Sequence, residues 1–209
     1  MRFCTYLLLI LKFLIYMDIL KKPVKMNHIL SDFLSDTCNS LENLRRNNVY
    51  KEFYYHIKCE NLEDFLSKDI TQSVQYQDLL QDLMQIKGPV LYWYEITSFH
   101  SNNDIIKTLK EYKQKKQRAT PVIYKNYDRL TKILYVGKCK ENFWGRVIQH
   151  LGYYKTPTTQ GLQLFHWAKE LRLEVRLNAL EFASDMKDMM PVIELFFAKQ
   201  LHPLVGRHT

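Results

Sequence analysis

Val90-Leu91-Tyr92-Trp93-Tyr94-Glu95-Ile96 follows Gly88-Pro89, and further along the chain reads Leu134-Tyr135-Val136-Gly137-Lys138. Both runs are aromatic and β-branched, which is the composition of strands. Tyr92 and Tyr94 are two apart and therefore share one face of their strand. Asn142 to Leu151 fits a helix that stops at Gly152. On that helix Arg146 and His150 stand at i and i+4, on one side. Beyond it come Pro157 with two threonines as a loop and a short helix over Leu162 to Glu170. Leu171, Leu173, Val175 and Leu177 alternate with polar residues as in a strand. A last helix begins at Asp185 or Asp188, has Pro191 in its first turn and ends before Pro203.

Between the two aromatic runs, Ser101-Asn102-Asn103-Asp104 caps a basic helix over about 104 to 117. Val122 to Lys125 is a further strand candidate, followed by the polar turn Asn126 to Arg129. Residues 27 to 86 read as helices, because their leucines and phenylalanines cluster three or four apart amid Asn, Asp, Glu and Lys. The fold expected is α+β, a small central antiparallel sheet flanked by helices, with an N-terminal helical extension. Its parts are an apolar segment 1–26, a helical region 27–87 and a sheet-bearing domain 88–209.

The chain has 209 residues, and its 30 Lys+Arg against 22 Asp+Glu give a formal charge of +8. A hydrophobic share of 46% excludes a mostly disordered chain. The distribution of charge is more telling. Ile105 to Lys155 holds thirteen basic residues and three acidic ones, a local +10 that leaves the rest of the chain at −2. Tyr112, Tyr124, Tyr127, Tyr135, Phe143, Trp144, Tyr153 and Tyr154 lie in the same stretch. Cations neutralise phosphates and aromatic rings stack on bases, so the mixture suits a nucleic acid, as against a plain solvated basic face over core aromatics.

Cys4, Cys38, Cys59 and Cys139 are dispersed, with no zinc-ligand or disulfide-framework spacing. A reducing, cytoplasmic setting fits best. Phe3 to Leu20 is apolar. As a signal peptide it lacks a small-residue cleavage site, and as a membrane span it carries Lys12 at mid-length. An amphipathic or core helix, or a start at Met17 or Met26, is the expectation, and a membrane partner is not.

Taken in order, the Tyr-bearing strand, Tyr135-Val136-Gly137, Arg146 with His150, and Glu194 followed by Pro203 resemble the GIY-YIG nuclease family. Tyr92 to Ile96 stands where that family has its first half-motif, and Tyr135-Val136-Gly137 matches the second. The resemblance covers about residues 88 to 206. It implies a tyrosine of the first half-motif as general base toward water, with Tyr135 in support. Tyr94 is the first choice for that base and Tyr92 the alternative. A phenol with a pKa of about 10 needs cationic neighbours to act so, and Lys138 and Arg146 are candidates.

Arg146 and His150 can converge on one phosphate, the guanidinium through fixed bidentate donors. Glu194 is a carboxylate inside the apolar run Val192 to Phe197, costly to bury unless paired or bound to a cation such as Mg²⁺ or Mn²⁺. Gly137, Lys138, Lys113, Lys115 and Lys116 are the expected DNA-contacting residues. Three features depart from the family. Tyr92 occupies the place of its first-motif glycine, the half-motifs are separated by an insertion, and Gly206 is nearest the place of a terminal Asn, for which Asn178 or His202 are substitutes. Two functions follow: a metal-dependent DNA endonuclease using a Tyr-activated water, or a nucleic-acid-binding module of the same fold without turnover. The N-terminal helical region is the expected surface of a homodimer.

Overall fold

Four strands form one antiparallel sheet: β1 (Tyr50–Lys58), β2 (Val90–Ile96), β3 (Ile133–Cys139) and β4 (Glu174–Phe182), in the order β1-β4-β2-β3. A computed structural model describes residues 26–47, 50–64, 69–153 and 156–207. The helices are α1 (Met26–Asn47), α2 (Gln77–Gln85), α3 (Asn102–Gln114), α4 (Phe143–Leu151), the single turn α5 (Leu164–Trp167) and α6 (Met190–Leu201). The fold is therefore α+β with an antiparallel sheet, as the sequence implies. The chain divides into two compact units, Met1–Asn39 and Ser40–Thr209. Phe3 to Leu20 lies outside the described residues. Among those described, no helix is long and apolar enough to cross a membrane.

Residues 50–58 correct the helical expectation for 27–86. They form β1, which pairs with β4 along its whole length, Phe53 opposite Ala179 and Ile57 opposite Val175. Phe53, Tyr55 and Ile57 alternate toward the core while Lys51, Glu52, Tyr54 and His56 stay exposed. Interspersed Lys and Glu suggested a helix; aromatic and β-branched content suited a sheet, and pairing decided it. The sheet-bearing part thus begins before residue 88. Val122 to Lys125 forms no strand, since only Ile123 makes a bridge, to Val205. The alternation from Leu171 becomes a strand only at Glu174, because Arg172 takes a left-handed φ of 51° and Leu173 N–H closes a turn onto the Ala168 carbonyl.

The pleat sends neighbouring residues to opposite faces. Tyr92, Tyr94 and Tyr135 go to the larger core with Leu79 and Leu83 of α2, Ile105 and Leu109 of α3, and Val147 and Leu151 of α4. Leu91 and Val136 go to the other face, against Met190 and Ala198 of α6, where Trp93 stacks on Phe197. α4 is stopped by Gly152, whose φ of 105° provides the left-handed C-cap.

Tyr92 and Gly137 are opposite one another in the β2–β3 register. A Cβ at Gly137 would lie 2.7 Å from the Tyr92 Cζ and hydroxyl oxygen and 2.6 Å from Tyr135 Cε1. The missing side chain is the space that the Tyr92 ring fills. Gly137→Ala is expected to lower stability by about 1–3 kcal/mol, read from urea unfolding. Combined with Tyr92→Ala, its cost should shrink, making the pair non-additive.

Candidate functional site: a sealed tyrosine cluster

Five of the residues singled out by sequence meet on the larger core's face: Tyr92, Tyr94, Tyr135, Arg146 and His150. Arg146 Nε donates to the Tyr92 hydroxyl oxygen at 3.0 Å. His150 Nδ1 accepts from Leu162 N–H at 3.1 Å, which places the ring proton on Nε2. Nε2 then donates to the same Tyr92 oxygen at 2.8 Å. The Arg146 charge also acts on Tyr135, and Arg146 Nη1 donates to Gln149 Oε1 and the Gln160 carbonyl, each at 2.8 Å. The His150 ring packs 5.0 Å from Tyr135 and 5.2 Å from Tyr94, and Phe143 closes over Tyr92 at 5.2 Å.

Two cationic or N–H donors on one phenol oxygen would favour the phenolate, yet Tyr92 is completely buried. Burial outweighs Arg146 and holds the Tyr92 phenol well above its ordinary pKa. It is neutral at neutral pH. Tyr94, the first choice for the base, has a buried hydroxyl with no hydrogen-bond partner among the described residues, and burial raises its pKa too. Tyr92, not Tyr94, holds the polar contacts. Burial, reinforced by the Arg146 charge, pushes His150 well below its usual range, so it is a neutral imidazole. Arg146 Nε and His150 Nε2 therefore converge on the Tyr92 oxygen.

Glu194 is not in this cluster. Its carboxylate is bound by Lys138 Nζ, and the pleat puts Lys138 on the face opposite Tyr135 and Gly137, where α6 packs. Glu194 and Arg146 thus lie on opposite faces of the sheet. No group of three or more His, Cys, Asp or Glu among the described residues could hold a metal ion. Glu194 contributes a single carboxylate there, and it is paired with Lys138. Asn178 sits opposite Trp93 and donates to the Arg176 carbonyl, away from the cluster. Gly206 N–H donates to the Val122 carbonyl, tying the C-terminal segment to the insertion.

Sequence reading missed the segment that locks the cluster, the Gln160 carbonyl and the Leu162 N–H. The available signal was Gly161, where a Cβ would meet the Gln149 carbonyl oxygen at 2.5 Å. Of the expected DNA-contacting residues, Gly137 is covered by Tyr92, Lys138 is paired with Glu194, and Lys113 donates to the Pro121 carbonyl. Lys115 and Lys116 are exposed at the end of α3. Comparison of the chain with family models, curated proteins and solved structures finds no match.

The two tyrosines should respond oppositely to loss of the hydroxyl. Tyr92→Phe leaves two buried donors unpaired and should cost about 1–3 kcal/mol in chemical denaturation. Tyr94→Phe removes an unpaired hydroxyl and should leave stability unchanged or raise it.

His150 also gives stability a pH dependence. The unfolded chain takes up a proton at a pKa of about 6.5 while the folded chain resists it. Stability is full above that value and falls as pH drops toward the lower folded pKa. The slope reaches about 1.4 kcal/mol per pH unit. Thermal melts should show a steeper loss on acidification in the wild type than in His150→Gln.

Proposed function

We propose that this chain is a nucleic-acid-binding protein, built on a sheet like that of the GIY-YIG nucleases but binding phosphodiesters rather than cleaving them. The observation that carries the reading is Tyr92. Standing where the family has glycine, it fills the notch over Gly137 and takes the Arg146 and His150 donors for itself. A general base must reach water and a phosphate-stabilising arginine must reach phosphate. Tyr92 is buried out of reach of water, and Arg146, though half-exposed, commits its Nε and Nη1 donors to Tyr92, Gln149 and the Gln160 carbonyl.

Binding is supported by the outer side of α3 and the segment after it. Lys107, Lys110, Lys115, Lys116, Lys125, Arg129 and Lys132 are all exposed. None of them enters an ion pair among the described residues. Ile105, Ile106, Leu109 and Tyr112 anchor the helix from beneath, so the cations stand on a fixed support. Phosphate contacts of this kind position a nucleic acid and give strongly salt-dependent affinity.

One observation favours the DNA endonuclease as a second reading. The Lys138–Glu194 pair begins one residue along β3 from Gly137, so the two clusters are separated only by the thickness of the sheet. Turnover would require Glu194 to leave Lys138 for Mg²⁺ or Mn²⁺ and Tyr92 to leave its partners.

Fluorescence anisotropy with labelled duplex DNA separates the readings when paired with a plasmid-nicking assay in Mg²⁺ or Mn²⁺. The expected result is binding that weakens steeply as salt rises, with no nicking. Replacing Lys107, Lys110, Lys115 and Lys116 together by Ala should weaken binding by at least about tenfold and flatten the salt slope. Nicking by the wild type that is lost in both Arg146→Ala and Glu194→Ala would establish the endonuclease instead. Absence of salt-dependent binding would overturn both.

A further inference from the structure

The C-terminal end of α6 and the turn after Tyr124 line an open cavity of about 190 Å³ that the tyrosine cluster does not touch. Its walls include the half-buried Tyr124 and Tyr127, with His202 and Pro203 from the end of α6, and Asn126, Asp128 and Lys199 at its polar positions. We propose that this cavity receives one unpaired base of a single-stranded nucleic acid, with preference for bases that carry an exocyclic amino group. The inference rests on the nucleic-acid reading above and names the form of nucleic acid recognised.

The walls are positioned by bonds outside the cavity. The Tyr127 hydroxyl donates to Asn103 Oδ1 at 2.9 Å, fixing the ring against the start of α3. Tyr124 N–H donates to the Leu204 carbonyl at 3.2 Å, holding its backbone beside the C-terminal segment. His202 has a left-handed φ of 48°, which ends α6 and turns the chain into Pro203. Tyr127, held at its hydroxyl, and Tyr124, held at its backbone, line the cavity as aromatic surfaces for stacking, and stacking accepts any base.

Discrimination requires an edge-reading group, and Asp128 is the one available. Its Oδ1 accepts from Leu130 N–H at 2.8 Å, fixing the carboxylate in a turn. The other oxygen is an acceptor on an exposed side chain. A carboxylate accepts from the amino group of cytosine or adenine and finds only carbonyl oxygen at the corresponding place in thymine or uracil. Lys199, with Lys125 and Arg129 beside the cavity in sequence, supplies charge for the flanking phosphates. A base still paired in a duplex is held in its stack, so what the cavity takes is a base from a single-stranded stretch, while the cations of α3 also hold duplex.

The test is fluorescence anisotropy on the full chain with oligo-dC, oligo-dT and a duplex of equal length. Tyr124→Ala and Tyr127→Ala should each weaken oligo-dC binding about tenfold with little change for duplex. The wild type should favour oligo-dC over oligo-dT, and Asp128→Asn, at an exposed position, should erase that preference. Duplex binding that persists while the wild type shows no dC preference, or while Asp128→Asn keeps it, overturns the cavity proposal alone. Failure of the wild type to bind either strand or duplex overturns it together with the reading on which it rests.

Discussion

The Tyr92 hydroxyl oxygen, accepting from Arg146 Nε and His150 Nε2, ties three parts of this molecule that are distant in sequence. It joins the sheet's β2 to helix α4, and through the Leu162 N–H and the Gln160 carbonyl it draws in the loop after α4. Inside a protein such a network is strong when every member is satisfied and costly when one is not. That constraint explains the neighbourhood. Gly137 must lack a side chain, Phe143 must cover the ring, and Gly161 must let the loop approach α4.

The same interaction is the ground on which the proposed binding reading is preferred to hydrolysis. Residue types associated with phosphodiester hydrolysis are present and close together, but the Arg146 Nε and His150 Nε2 donors are spent on Tyr92. Their companion carboxylate, Glu194, is across the sheet and neutralised by Lys138. A site is defined by which atoms remain open to a ligand, and α3 with the following segment carries a dense group of exposed cations.

Much of the sheet was legible because its strands announce themselves locally. Val90 to Ile96 and Ile133 onward are aromatic and β-branched, and the helix with Arg146 ends at a glycine with the expected left-handed turn. The first strand was not legible, because Tyr50 to Lys58 mixes Lys, Glu and His with aromatics and acquires its identity from β4, far away in sequence. Similarly, Tyr92, Arg146 and His150 could be named from spacing, since i and i+4 fix a helical face. The choice between Tyr92 and Tyr94 could not, because both point the same way and only the position of α4 decides which hydroxyl is met. The surroundings of Glu194 were not legible for a related reason: a carboxylate in an apolar helix demands a partner, but the sequence does not say that Lys138 is that partner.

The strand order has a consequence for how the molecule is made. β4 lies between β1 and β2, yet it follows both in the chain. During synthesis from the N-terminus, β1 and β2 emerge with the place between them vacant, and only β2 and β3 can pair early. Val205 must arrive later still to bridge Ile123 and Tyr135. Such long-range closure is slow and leaves strand edges uncovered in the interval. The nascent chain therefore passes through a window in which its central sheet is open, and β4 is the element that shuts it.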